Sequence, residues 1–170
     1  MKNKYPQSSV LLFSFALILG VFASSGLSAE SATVTPAAPS SPDFGNYSSE
    51  TLTTKAWQAF EAKNYALVEA YTAKCIEMYG AKAKEMQAEL TAPAPVETAS
   101  TMWALNDVGT CYFIRGNAFE AQGKNDKAVA AYNKLVTNFP FAQTWDTNGW
   151  FWPPAEAAKQ RIKVLEFETL

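Results

Sequence analysis

Three of the chain's five tryptophans, Trp145, Trp150 and Trp152, fall within eight residues, and Phe151 lies among them. Aromatic faces stack on sugar rings or grip a partner's apolar side chains, and such residues concentrate at binding hot spots. Asp146-Thr147-Asn148-Gly149 interrupts the rings as a turn, because Asn-Gly tolerates positive φ. Trp145, Asp146, Trp150 and Trp152 are therefore the candidate binding residues. The alternative is that the rings seal the gap between the fourth and fifth helices. Rings this dense would leave a large apolar patch on a small domain. That argument places Trp150 in the core and leaves Trp145, beside the turn, as the exposed contact.

Other chemistry is thinner. Histidine is absent, which removes Ser-His-Asp triads, Cys-His dyads and His-based metal centres. Glycoside hydrolysis needs two carboxylates about 5–10 Å apart, and Asp107, Asp146 and Glu156 are the nearest candidates. Each also has an ordinary role: a helix-surface charge, a turn residue and a first-turn acid favoured by the helix dipole. No acidic loop has calcium spacing. The reading is non-catalytic, with no metal and no cofactor. Cys75 and Cys111 are the only cysteines. On neighbouring helices in an oxidising compartment they are expected to form a disulfide, credited by chain entropy with roughly 4 kcal/mol. The alternative is two buried thiols packing as small apolar groups. Lys82, Lys84, Lys124 and Lys127 do not cluster and the net charge is −2, which argues against nucleic-acid binding.

The elements that must position these residues are helical. With 48% hydrophobic and 18% charged residues, the chain can build one packed domain. Residues 1–29 read as an export signal: Lys2 and Lys4, an apolar run from Val10 to Ala23, then small residues ending at Ala29. The run is shorter than the ~20 residues of a membrane span, so the protein is expected to be periplasmic or secreted, with no span after cleavage. Residues 30–49, rich in Pro, Ser and Ala, read as a flexible leader. Apolar spacing then predicts helices over about 50–63, 65–90 through Gly80, 100–122 with Ser100 as cap, 126–138, and from Pro154 onward. The segment near 91–99 interrupts them. No stretch alternates long enough to predict a sheet. The fold class is all-α.

Residues 112–140 resemble a tetratricopeptide repeat, the helix-turn-helix unit with W-x2-L-G-x2-Y, A-x3-F and a closing proline. Gly116 matches the small crossing residue, Phe119 the tyrosine, Gly123 the turn, Ala128 and Tyr132 the A-x3-F pair, and Pro140 the end. Tyr112 replaces tryptophan, and Arg115 stands in the leucine position. Residues 52–80 resemble the repeat more faintly, with Ala56 in the glycine place, Asn64-Tyr65 at the turn, Val68 and Thr72 as the A-x3-F pair, and Gly80 for proline. The resemblance implies a short antiparallel helix-turn-helix solenoid, capped by the last helix. Its concave face, made mostly by the first helix of each pair, would bind a protein or peptide partner in the cell envelope. ALNDVGTCYFIRG and FAQTWDTNGWFWPPAEAA are also similar to exported bacterial repeat proteins, some labelled β-glucanase precursors. That similarity implies an accessory module of polysaccharide metabolism touching glycan as the alternative function.

Overall fold

The computed structural model describes residues 41–168. The export signal at 1–29 and the leader to residue 40 lie outside them. Five α-helices dominate: α1 (Ser49–Glu61), α2 (Tyr65–Ala88), α3 (Trp103–Glu120), α4 (Asn125–Asn138) and α5 (Pro154–Glu168). Two short strands, β1 (Thr144–Asp146) and β2 (Trp150–Trp152), join α4 to α5. The fold is mainly helical, as the apolar spacing predicts.

Local chemistry sets the helix ends. Ser48 caps α1 by accepting from the Thr51 amide, and Asn64 caps α2 by accepting from the Leu67 amide, each filling an otherwise orphaned donor. α2 passes through Gly80 unbroken. The expected Ser100 cap is not made. Ala99–Met102 forms a 3-10 turn that runs into α3 with no side-chain cap, and Asn106 Nδ2 instead donates to the Ala99 carbonyl at 2.8 Å.

The two inter-helix turns share one hydrogen-bond pattern. Lys63 N–H donates to the Phe60 carbonyl and Asn64 N–H to that of Ala59; Gly123 N–H donates to Glu120 and Lys124 N–H to Phe119. In each turn one residue takes a left-handed backbone.

 Lys63, with φ 55°, thus takes the backbone place that glycine, with φ 69°, fills in the second turn. Both are the αL helix terminus that satisfies the last carbonyls.

α3 is the centre of the fold and packs against α1, α2, α4 and α5. Leu105, Val108, Cys111 and Ile114 are fully buried along it. Two close approaches depend on glycine. A Cβ on Gly116 would lie 2.2 Å from Tyr132 Cε1, and one on Gly109 would lie 2.4 Å from Ala142 Cβ. The first seats the buried Tyr132 ring of α4 against α3, with its hydroxyl donating to Asn117 Oδ1 at 2.6 Å. Glu120 beside it pairs with Arg161 of α5, which ties the last helix to this pair. Ala128 is fully buried, Phe119 is half-buried under the Lys127 ammonium, and Pro140 follows the end of α4. Arg115, in the leucine position, donates to the Glu69 carbonyl of α2 at 3.4 Å.

Three expectations are corrected. The leader does not extend to residue 49: Phe44 packs edge-on to Tyr71, Asp43 pairs with Lys55, and Tyr79 donates to the Tyr47 carbonyl. A sheet does form, as an antiparallel hairpin pairing Thr144 with Trp152, Trp145 with Phe151 and Asp146 with Trp150. Its three-residue strands are too short to show an alternating pattern. Cys75 and Cys111 are free, buried thiols and not a disulfide. The Thr53 hydroxyl lies 3.9 Å from Cys75 Sγ and 3.4 Å from Cys111 Sγ, so both sulfurs turn to α1.

Candidate functional site

A groove of about 710 Å³ opens where α1, α3 and the hairpin meet. α1 contributes Glu50, Thr54 and Trp57, spaced so that all three share one helix face. α3 contributes Trp103, Asp107 and Thr110 at the same spacing. The hairpin closes the third side with Trp145 and Phe151, whose rings meet edge-on at 5.0 Å. Tyr79 of α2 holds Trp103 from behind, edge-on at 5.6 Å.

The hairpin is fixed in place by buried polar contacts. Thr110 and Thr144 hydroxyls lie 2.7 Å apart. Asn106 Oδ1 accepts from the Gln143 amide, and Gln143 Nε2 donates to the Ala94 carbonyl, both at 2.8 Å. Gln87 at the end of α2 accepts from the Phe141 amide. Each of these groups is buried or half-buried, where an unmade hydrogen bond would cost about 1–3 kcal/mol. Together they anchor the segment before β1 against α2, α3 and the irregular stretch at 91–98.

Asp107 is the distinctive charge. Its Oδ2 accepts from Ser49 Oγ, the first residue of α1, at 2.5 Å. Burial pushes its carboxyl up to about 6; the Ser49 hydrogen bond opposes this, and the nearby Glu50 charge adds to it. Burial also pushes the Cys111 thiol up, aided by Cys75 beside it, so this sulfur is held protonated and is a poor nucleophile.

The sequence-nominated residues are distributed unevenly about this groove. Trp145 stands on its rim and is 56% exposed, as expected. Trp150 does not enter the core: it is 52% exposed, because its pairing with Asp146 sets it at the turn end of the hairpin. Trp152, at the other end, packs edge-on against Phe113 of α3 at 5.2 Å and does the sealing. Asp146 holds the turn, accepting from the Asn148 amide and side chain at 2.8 and 2.7 Å. Asp107, Asp146 and Glu156 are not brought together; Glu156 pairs with Lys159 on α5. Glu50, Trp57 and Trp103 were not singled out as binding residues by sequence. The matching spacing of Glu50-Thr54-Trp57 and Trp103-Asp107-Thr110 was the available signal.

Among the described residues no group of three or more His, Cys, Asp or Glu side chains could hold a metal ion, and no helix is long and apolar enough to cross a membrane. No family model, curated protein or solved structure matches the chain.

Proposed function

We propose that the chain is an exported, non-catalytic scaffold of the tetratricopeptide type that holds a segment of another protein in the groove between α1 and α3. The observation that carries this reading is the lining of the groove: α1 and α3 are the first helices of the two pairs, the helices from which this kind of scaffold builds its binding face. The repeat reading is supported by register. Ala56, Val68, Thr72 and Gly80 each stand sixty positions before Gly116, Ala128, Tyr132 and Pro140, as do the residues of the two matching turns. Export to the periplasm or beyond rests on the character of residues 1–29.

Glycan contact is the second reading, favoured by the exposed rings of Trp103 and Trp145. A photo-crosslinking residue at Thr54, inside the groove, separates the two in envelope extract, with one at Lys163 on the surface of α5 as control. A discrete protein adduct at position 54 and none at 163 is the expected outcome. Adducts of equal yield at both positions, or a carbohydrate adduct at 54 alone, would sink the protein-scaffold reading.

A further inference from the structure

We infer that the groove is built to take a basic side chain, arginine or lysine, from an extended peptide segment of the partner. This deepens the scaffold reading and rests on it. Glu50 and Asp107 both line the groove, and neither lysine nor arginine does. Around these carboxylates stand Trp57, Trp103, Trp145 and Phe151, and aromatic faces attract cations through their quadrupoles. Rings and negative charge together describe a site for a cation with an apolar stem. A guanidinium fits best, because it stacks flat on an indole while donating to a carboxylate. The volume, about 710 Å³, is several times that of one such side chain, so flanking residues of the segment enter as well.

The hydrogen-bond inventory favours a cation over a neutral sugar. Sugar hydroxyls need protein groups that both donate and accept, and most of the neutral polar side chains here are already committed, with Thr54 and Ser100 the exceptions. Asn106 serves Ala99 and Gln143; Gln143 serves Ala94. Thr110 donates within α3 or meets Thr144, and Thr53 donates to the Ser49 carbonyl. The carboxylates are the charged acceptors that the groove has left to offer: Glu50 has no hydrogen bond or ion pair among the described residues, and Asp107 takes only the Ser49 hydroxyl. Charge complementarity therefore selects the occupant.

A pH signature follows. The titratable groups facing Asp107 are Glu50 on α1 and the Cys111 thiol on α3, with Cys75 of α2 behind that thiol. The hairpin residues of the groove, Gln143, Thr144, Trp145 and Phe151, carry none. Protonation of Asp107, whose carboxyl sits at about 6, removes half of the negative pair, so affinity for the basic segment weakens between pH 7 and pH 5.

The test passes three peptide pools over the immobilised full chain, each randomised except for a central Arg, Gln or Glu. Retention of the Arg pool about tenfold above the Gln pool at pH 8 is expected, with the Glu pool lowest and the preference reduced at pH 5. Asp107→Asn keeps the acceptor for Ser49 and should reduce the ratio of Arg-pool to Gln-pool retention; circular dichroism checks its fold. Trp103→Ala should lower retention of all three pools. Equal retention of Arg and Gln pools, lost in Trp103→Ala, overturns the cation inference and leaves the scaffold reading standing. An Arg preference that survives Asp107→Asn intact overturns it as well. Retention of cellohexaose with no peptide pool retained overturns both readings.

Discussion

The two helix pairs keep step through their middles and part company at both ends. Ala56, Val68 and Thr72 in the first pair occupy the places of Gly116, Ala128 and Tyr132 in the second. The side-chain volumes are shared out differently, with an alanine and a threonine at the two matching positions of one pair and a glycine facing a large ring in the other. At the N-terminal end, α3 begins six residues before the position matching the start of α1. That added stretch carries Trp103, Asn106 and Asp107, whereas the matching residues 43–48 form the strap that packs on α2. At the C-terminal end, α2 continues past Gly80, but α4 stops before Pro140 and the chain turns back as the β-hairpin. The groove takes Trp103, Asp107, Trp145 and Phe151 from these departures and Glu50, Thr54, Trp57 and Thr110 from the stretch the two pairs share.

The comparison breaks most severely if its C-terminal difference is erased. Gly80→Pro would impose on α2 the stop that α4 has. It removes a helix hydrogen bond and unseats the turn that brings Ala83, Met86 and Gln87 to the core and the hairpin. The expected loss is about 3 kcal/mol or more, measured by urea unfolding. Gly116→Ala comes next. Its Cβ would overlap the Tyr132 ring, with an expected cost of about 2–3 kcal/mol. Adding Tyr132→Thr gives the second pair the residues of the first. The double variant should then lose less than the sum of the singles, because the overlap disappears; simple additivity would refute the account of the crossing.

Asp107 sharpens the N-terminal difference. Its folded carboxyl, near 6, lies above the ordinary 3.8, so the folded state holds the proton more tightly than the unfolded chain. Its contribution is therefore most favourable below pH 4, falls as pH rises from about 4 to 6, and is level above that. Asp107→Asn should be about 2 kcal/mol more stable than the parent at pH 8 and equal to it at pH 4. Thermal unfolding across that range checks the sign. A variant less stable than the parent at pH 8 would show that the ionised carboxylate is well accommodated. The smallest effect belongs to the turns: Lys63→Gly should stabilise by about 0.5–1 kcal/mol, by relieving a left-handed backbone that glycine adopts freely. The same urea titration reads it.

How much of this was legible depended on distance along the chain. Gly116, Ala128 and Tyr132 were visible because a helix crossing within one pair leaves its mark at short, fixed spacing. Gly80 was readable as internal because the apolar stripe continues beyond it. Ring density is a poor guide to the burial of Trp150: Trp150 and Trp152 share a strand face, but Trp150 sits at the turn end of the hairpin while Trp152, at the other end, packs on Phe113. Cys75 and Cys111 were correctly placed on neighbouring helices, but spacing carries no information about where a sulfur points, and Thr53 takes both. The groove was hardest to foresee. Ser49 meets Asp107 across 58 residues, and neither residue's local pattern signals the other.

The central helix has a consequence for how the molecule opens. α3 presents almost no face to water over its middle, so it has no amphipathic surface that would let it survive beside a single neighbour. α5 can detach from the perimeter, and the strap at 43–48 can lift, while the remaining helices stay packed. The amides around Ile114 have no such local route. They reach solvent only when both pairs come apart, which makes α3 the slowest-exchanging segment and sets the global unfolding free energy as its exchange limit.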